Sequence, residues 1–270
     1  MAGMAAQTRL SDRLQPGRQK PCRSAFRARP RKHPMTVNPT PETTHPTAHP
    51  TGPASSTGPQ EPLALLETLA LHEGTLRHAA QHLARMAAAA AHFGYPWRAA
   101  EVEQCLQTLA QRHPQDLWRV RLLLDAAGRP SAQAYPLAPT AQPVRLQLAT
   151  QPLVEALSPT LGAFVRYKTT RRAHYEALAP TQPDVFDTVL WNTADELTEC
   201  TRGNVAVRIA GRWLTPAAEC GLLPGVARAL ALQSGQLQEA VLRRQDLPRV
   251  EAWAFLNSLR GWLDATLEAA

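Results

Sequence analysis

An α+β fold in two lobes, behind a basic tail, is what this sequence of 270 residues predicts, and three observations predict it. From about Pro62 onward, runs of strand signals are broken by a few helices, without the regular βαβ rhythm of a doubly wound sheet. Hydrophobic residues make up 44% and charged residues 19% of the chain, a balance that supports a real core. A polar, Pro-containing crossing from Gln151 to Thr160 then divides the folded part. The expected organisation is a tail over 1–60, a small α/β lobe over 61–150 and a β-rich lobe over 151–270.

In the small lobe, Leu63 to Leu71 is an apolar β-type run, and Glu73-Gly74 turns the chain into Thr75-Leu76. His78 to Phe93 is rich in Ala and Leu and reads as a helix stopped by Gly94 and Pro96. Trp97 to Arg112 reads as a second helix. Leu117 to Asp125 and Ala132 to Pro136 flank the hairpin-like turn Ala127-Gly128-Arg129-Pro130, and Val144 to Ala149 is a further strand. In the second lobe strands are expected near Ala163–Tyr167, Asp184–Asn192, Glu196–Cys200, Val205–Ile209 and Arg212–Thr215. A helix from Gly225 to Ser234, strands at Glu239–Arg243 and Ala252–Asn257 and a terminal helix complete the chain. No fixed-period self-similarity occurs, which excludes a repeat protein.

The net charge of +7 suggests a nucleic-acid partner until it is located. Residues 1–60 hold nine Lys/Arg against Asp12 and Glu42, and the rest of the chain balances 20 basic against 20 acidic residues. The folded part therefore has no basic excess for a nucleic acid. Ten of the 24 prolines also lie between Pro16 and Pro59, so residues 1–60 are expected to be disordered. A transit peptide or a nucleic-acid arm would share that composition, and an extended start with translation beginning at Met35 is the preferred reading. No apolar run reaches the ~18 residues of a membrane span, and no secretory h-region is present. Cys22, Cys105, Cys200 and Cys220 have no C-x-x-C spacing and read as free thiols in a reducing cytoplasm. The nine histidines lack metal-ligand spacing, and Gly-rich nucleotide fingerprints are absent, which argues against metal, NAD and ATP chemistry.

Lysine usage is the most informative feature. The chain has three lysines, and Lys20 and Lys32 lie in the tail, so the folded part keeps only Lys168. Arginine stays protonated in proteins, whereas a lysine in a dry or electropositive place can become a neutral amine. On composition alone a stray surface lysine is an equal reading. Its setting favours chemistry: an apolar predicted strand, Leu161 to Tyr167, leads into it, and Thr169-Thr170-Arg171-Arg172 follow.

The stretch R-Y-K-T-T-R-R-A-H-Y (Arg166 to Tyr175) resembles the lysine segment of fold-type IV, class IV aminotransferase-like pyridoxal-phosphate enzymes, particularly the 4-amino-4-deoxychorismate lyases. Further segments resemble that family in the same order: N-T-A-D-E-L-T-E-C-T-R-G-N (Asn192 to Asn204), T-P-A-A-E-C-G-L-L-P-G-V-A-R (Thr215 to Arg228) and L-N-S-L-R-G (Leu256 to Gly261). Upstream, L-L-E-T-L (Leu65 to Leu69) and H-L-A-R-M (His82 to Met86) are similar to its E-T and H-x-x-R-L elements. The resemblance covers about Leu63 to Leu267, and its strength lies in the ordered set rather than in one motif. It implies a two-lobed D-amino-acid-aminotransferase-like fold whose larger lobe binds pyridoxal 5'-phosphate.

It also implies roles. Lys168 holds the cofactor as an imine and moves protons, and Glu199 keeps the pyridine nitrogen protonated. The loop Gly221 to Arg228 enters a helix whose free N–H groups suit a phosphate, with Leu223 and Gly225 in the loop and the N–H groups of Val226 and Ala227 as donors. Arg85 reaches the phosphate from the small lobe, and Asn257 and Ser258 offer it an amide and a hydroxyl. Arg119 and Arg121 share one face of a predicted strand and are candidates for substrate carboxylates, although solvent exposure explains them equally well. Arg228, Asn204 and His82 read as scaffold.

Branched-chain aminotransferases tend to carry K-x-x-x-N-Y after the lysine; here Arg172 and Ala173 occupy the last two places and the nearest tyrosine is Tyr175. That departure favours the lyase pattern, which yields 4-aminobenzoate and pyruvate in folate synthesis. An aminotransferase acting on branched-chain or D-amino acids is the alternative, and a non-catalytic binding protein a third. The further expectations are a cytoplasmic homodimer acting on a small molecule, with no nucleic acid or membrane partner. Some of these lyases are fused to aminodeoxychorismate synthase, so association with such a synthase is also expected.

Overall fold

Two sheets organise the chain in a computed structural model that describes residues 63–268. The tail, its start at Met35 and Cys22 lie outside the described residues. The first sheet is built from β1 (Leu65–His72), β2 (Thr75–Leu76), β3 (Leu117–Leu124) and β4 (Pro130–Pro136) in the order β2-β1-β3-β4. Each neighbouring pair is antiparallel, with Leu65 opposite Leu124 and Arg119 opposite Tyr135. Two helices pack on it, α1 (Ala79–Phe93) and α2 (Ala99–Arg112). Their buried residues follow helical spacing: His82, Met86, Ala89 and Ala90 on α1, and Val102, Leu106 and Leu109 on α2. These faces close a core over Leu65, Leu69, Val120 and Leu122. Gly94 ends α1 in the left-handed conformation (φ 70°), as its place after an Ala-rich helix suggests.

The second sheet has eight strands: β5 (Val144–Leu148), β6 (Asp187–Trp191), β7 (Leu197–Cys200), β8 (Asn204–Ile209), β9 (Arg212–Pro216), β10 (Gln238–Ala240), β11 (Ala252–Asn257) and β12 (Gly261–Leu267). Their order is β10-β9-β8-β11-β12-β5-β6-β7. Its core is a buried cluster that includes Leu146, Val189, Val205, Val207 and Phe255. Three short or medium helices accompany the sheet: α3 (Ala163–Arg166), α4 (Ala173–Glu176) and α5 (Val226–Gln233). Irregular alternation of strands and helices is thus an α+β architecture, as expected.

Three sequence expectations are corrected. Ala163–Tyr167 is the helical turn α3, not a strand: Arg166 N–H donates to the Gly162 carbonyl and Tyr167 N–H to that of Ala163, and the five-residue run was too short to separate the two periods. The terminal helix is strand β12, which hydrogen-bonds antiparallel to β11 and parallel to β5, so sheet pairing outweighs its local helix propensity. The strand expected at Glu239–Arg243 shortens to β10, and Arg244–Arg249 forms a 3₁₀ turn. The change of sheet falls between β4 and β5, ahead of residue 150, because β5 pairs with β6 and β12. Among the described residues no helix is long and apolar enough to cross a membrane. Cys105, Cys200 and Cys220 carry free thiols.

Candidate active site

Lys168 owes its position to a splice between the lobes. After α3 the backbone turns extended at Tyr167 and then runs beside the start of β1. Leu66 N–H donates to the Lys168 carbonyl (3.0 Å), Thr170 N–H donates to the Ala64 carbonyl (2.9 Å), and Leu65 bridges Thr169. With both flanks pinned, the Lys168 side chain enters a cleft of ≈ 600 Å³, a size that suits a cofactor together with a small substrate. Burial lowers the amine's pKa to about 8; Arg172 and Arg85 act the same way, while Glu67 and Glu199 oppose them. About a tenth of such an amine is neutral at pH 7, enough to act as nucleophile or base.

Glu199, on β7, lines the same cleft and is buried. Burial raises its pKa to about 7, against the hydrogen bonds it accepts and the nearby Lys168 and Arg172. Both of those bonds fall on Oε1: the Tyr175 hydroxyl donates at 2.6 Å and Leu223 N–H at 3.2 Å. Oε2 accepts none among the described residues, so the carboxylate retains an acceptor toward the cleft. Burial, reinforced by Glu199, raises the Tyr175 hydroxyl well above its ordinary pKa and keeps it a donor. The Arg172 guanidinium lies 4.8 Å from the centre of the Tyr175 ring and donates to the Thr201 carbonyl at 2.6 Å.

Next to Glu199 the loop after β9 enters α5, whose cap is Gly225. The N–H groups of Val226 and Ala227 find no acceptor among the described residues, and the helix dipole adds positive character there. Asn204 holds the loop by donating its amide to the Leu223 carbonyl at 2.9 Å. A Cβ on Gly225 would collide with Asn204 Oδ1, so glycine is required for the backbone to come this close. Leu223, Gly225 and Val226 line the cleft, while the Ala227 side chain turns away to pack beneath the sheet. Arg228 anchors the helix from behind through the Pro216 carbonyl (2.8 Å) and Glu239.

Arg85 reaches the same loop from α1. Its Nη1 donates to the Pro224 carbonyl (3.1 Å), and its Nε and Nη2 grip the two oxygens of Glu67 at 2.8 and 2.7 Å. His82 Nδ1 lies 2.6 Å from the same carboxylate. Burial alone would raise the Glu67 pKa; Arg85 and His82 overcome it and hold it at about 2. In the sequence Glu67 stands out only as part of the E-T element, because its function as the buried anchor of Arg85 depends on contact between β1 and α1.

Toward the outer end, Arg119 and Arg121 line the cleft together, as two residues on one strand face should. Asn257 and Ser258 also line it, but the Asn257 amide is engaged: Arg260 N–H donates to its Oδ1 at 2.8 Å, and its Nδ2 donates to the Arg202 carbonyl at 3.3 Å. Arg172, Tyr175, Arg202 and Arg260 belong to the site as well, beyond the residues that the motifs assign to it. For Arg172 and Tyr175 the signal is their place in the lysine segment; for Arg202 and Arg260 it is only their position inside matched motifs.

A lysine amine with a lowered pKa, a buried carboxylate with an oxygen to offer and a helix N-terminus bearing unpaired N–H groups together define a pyridoxal-phosphate type of site, and these residues fit that cofactor. The chain belongs to the class IV amino-transferase family, whose pattern matches residues 64–267. It is 31% identical over 205 residues to a Schizosaccharomyces pombe protein named "Putative aminodeoxychorismate lyase", covering 73% of this chain and 86% of that one. It is 32% identical to a "Putative amino-acid aminotransferase" from Mesorhizobium loti, covering 76% of this chain and all of that structure, with a TM-score of 0.69. The PLP-bound form of a "hypothetical aminotransferase" from Mycobacterium tuberculosis shares the fold at 18% identity, covering 76% and 81% of the two chains with a TM-score of 0.62. The protein is thus an enzyme of this family, lyase or aminotransferase, and its cofactor is pyridoxal 5'-phosphate.

Proposed function

We propose that the enzyme is an aminodeoxychorismate lyase, converting 4-amino-4-deoxychorismate to 4-aminobenzoate and pyruvate. One observation supports this above the others: Arg85, Arg119, Arg121, Arg172, Arg202, Arg260 and Lys168 line the cleft, against Glu199 as the single lining carboxylate among the described residues. The cofactor's phosphate offsets part of that charge. The remainder suits a substrate with two carboxylates better than a branched-chain amino acid, whose side chain is apolar. The name of the Schizosaccharomyces pombe relative points the same way.

In this reading Lys168 would hold the cofactor, Glu199 would stand by its pyridine nitrogen, and the N–H groups of Val226 and Ala227, with Arg85, would receive its phosphate. Bound pyridoxal phosphate supplies the electron sink that acidifies the ring C–H beside the substrate's amino group. The Lys168 amine, which the substrate's own amine would displace from the cofactor, takes that proton. The ether C–O bond then breaks, its electron pair leaving with the enolpyruvyl oxygen as the ring becomes aromatic. The proton ends on the enolpyruvate methylene, so pyruvate leaves and the amine is free again. No water or further reactant is consumed.

Aminotransferase activity on amino acids is the second reading, favoured by the full-length match to the Mesorhizobium loti structure. Coupled pyruvate detection with aminodeoxychorismate, run against glutamate formation from leucine and 2-oxoglutarate, separates the two. Pyruvate release with no glutamate supports the lyase; glutamate without pyruvate overturns it.

A further inference from the structure

Five of the six arginines of the cleft fall into two groups, and Arg121 follows Arg119 on the same face of β3. Arg85 is paired with Glu67, and Arg172 is stacked on Tyr175 next to Lys168. Arg119, Arg202 and Arg260 gather at the outer end, where one acid among the described residues serves all three. Arg119 rises from β3 with its guanidinium 4.8 Å from the centre of the Tyr135 ring and has no carboxylate partner among the described residues. Arg260 donates to the Ala138 carbonyl at 3.2 Å and to the Thr140 hydroxyl, both neutral acceptors. Of the three, Arg202 alone meets an acid among the described residues, with Nε 3.3 Å from Asp187 Oδ2, and its side chain remains 57% exposed.

The placement is built into the fold. Through its two bonds Asn257 fixes the backbone of Arg202, in the β7–β8 turn, to that of Arg260, in the β11–β12 turn. The Arg260 side chain then reaches the segment after β4, next to the strand that carries Arg119. Burial lowers the Arg260 pKa, with Arg202 and Arg119 lowering it further, as expected of cations held close together. Such a cluster is stabilised by an anion, and guanidinium groups suit a carboxylate in particular.

We propose that Arg119, Arg202 and Arg260 form an anion subsite that receives the substrate carboxylate remote from the reacting amine, so that the enzyme selects dianions over monoanions. The assignment rests on reading this cleft as the active site. Asn257 becomes a positioning residue for two arginines, a different task from the phosphate contact its motif suggested.

The test uses the holoenzyme and two aromatic probes, benzene-1,3-dicarboxylate and benzoate, titrated against the cofactor's visible absorbance and as competitors of turnover. The dicarboxylate is expected to bind at least about tenfold more tightly, the worth of one charge-assisted contact, and Arg260→Gln and Arg119→Gln each to remove most of that preference. Arg260→Lys, which keeps the charge, retains part of it. With aminodeoxychorismate the Gln variants lose activity through KM rather than kcat. The Arg119 side chain makes no hydrogen bond among the described residues, so its variant carries the test if Arg260→Gln destabilises the loop after β4. A preference that survives both Gln variants, or none in the wild type, overturns the subsite. If the dicarboxylate preference depends on these arginines while no pyruvate is formed, the subsite stands and the lyase reading fails. Pyruvate release with no probe preference does the reverse: the subsite falls and the lyase reading stands.

Discussion

Glu67 and Glu199 are buried to nearly the same degree, at 1% and 3% exposure, and the protein drives them in opposite directions. Glu67 has a pKa of about 2 and Glu199 one of about 7. Burial raises both, so the difference comes from partners. Glu67 is gripped by Arg85 and His82, whereas Glu199 has two hydrogen bonds on one oxygen and, among the described residues, no arginine bonded to it. A carboxylate with its own cation is a structural clamp. One without is set to receive a cation, and the pyridine N–H of the cofactor is such a group. Lys168 feels both carboxylates, which makes it the place where the comparison is most easily broken.

The largest effect is expected there. Lys168→Arg keeps the positive charge but removes the amine that can deprotonate, and turnover should fall about a thousandfold or more. Borohydride should then fix no pyridoxyl label on this peptide. Turnover within about tenfold of wild type would mean the chemistry uses another group.

Next come the two carboxylates themselves. Glu67→Gln leaves Arg85 and His82 without their counterion and should cost about 3–5 kcal/mol of stability. Glu199→Gln removes a carboxylate that the fold already holds partly protonated, so it should leave the melting temperature unchanged or higher while lowering turnover on the order of a hundredfold. Equal losses of stability in the two variants would erase the distinction.

Acid titration separates them by sign. The Glu67 pKa is depressed from 4.5 to about 2, so its stabilisation is present above pH 4.5 and is lost as the pH falls toward 2. The Glu199 pKa is raised from 4.5 to about 7, so its contribution is present below pH 4.5 and is lost as the pH rises toward 7. Urea unfolding followed from about pH 3 to about pH 8 should show Glu67→Gln flattening the acid side and Glu199→Gln flattening the change toward neutrality.

Much of this site could be read from the chain because its parts lie in ordered motifs. Lys168 stood out as the one lysine of the folded part, and Glu199 and the Gly225 cap fell in segments with the expected spacing. What stayed hidden depends on contacts between distant positions. Arg260 matters because its side chain crosses to Ala138, and Arg202 because Asn257 ties the two turns together. Neither contact leaves a local signal. The misread elements have the same origin. Leu161 to Tyr167 is too short for its period to decide between helix and strand, and β12 becomes a strand through β5 and β11, which are remote or already committed to the sheet. Turns were legible where one residue carries the geometry: Gly94 at φ 70° and Gly128 at φ 76° both fall where the sequence placed a break.

The smallest effect concerns Tyr175, whose hydroxyl touches Glu199 and leaves Glu67 alone. That hydroxyl stabilises the charged form of the carboxylate, so Tyr175→Phe should raise the Glu199 pKa further above 4.5. A neutral Glu199 cannot pair with a pyridine N–H. Cofactor affinity of the apo protein should therefore drop a few-fold at about pH 6.5, and the difference from wild type should close by about pH 8.5, where the carboxylate ionises in both. Glu67 should be unaffected, so the acid side of the stability profile should overlay the wild type. A pH-independent loss of cofactor would instead assign Tyr175 a packing role, and the contrast between the two carboxylates would then rest on Arg85 and His82 alone.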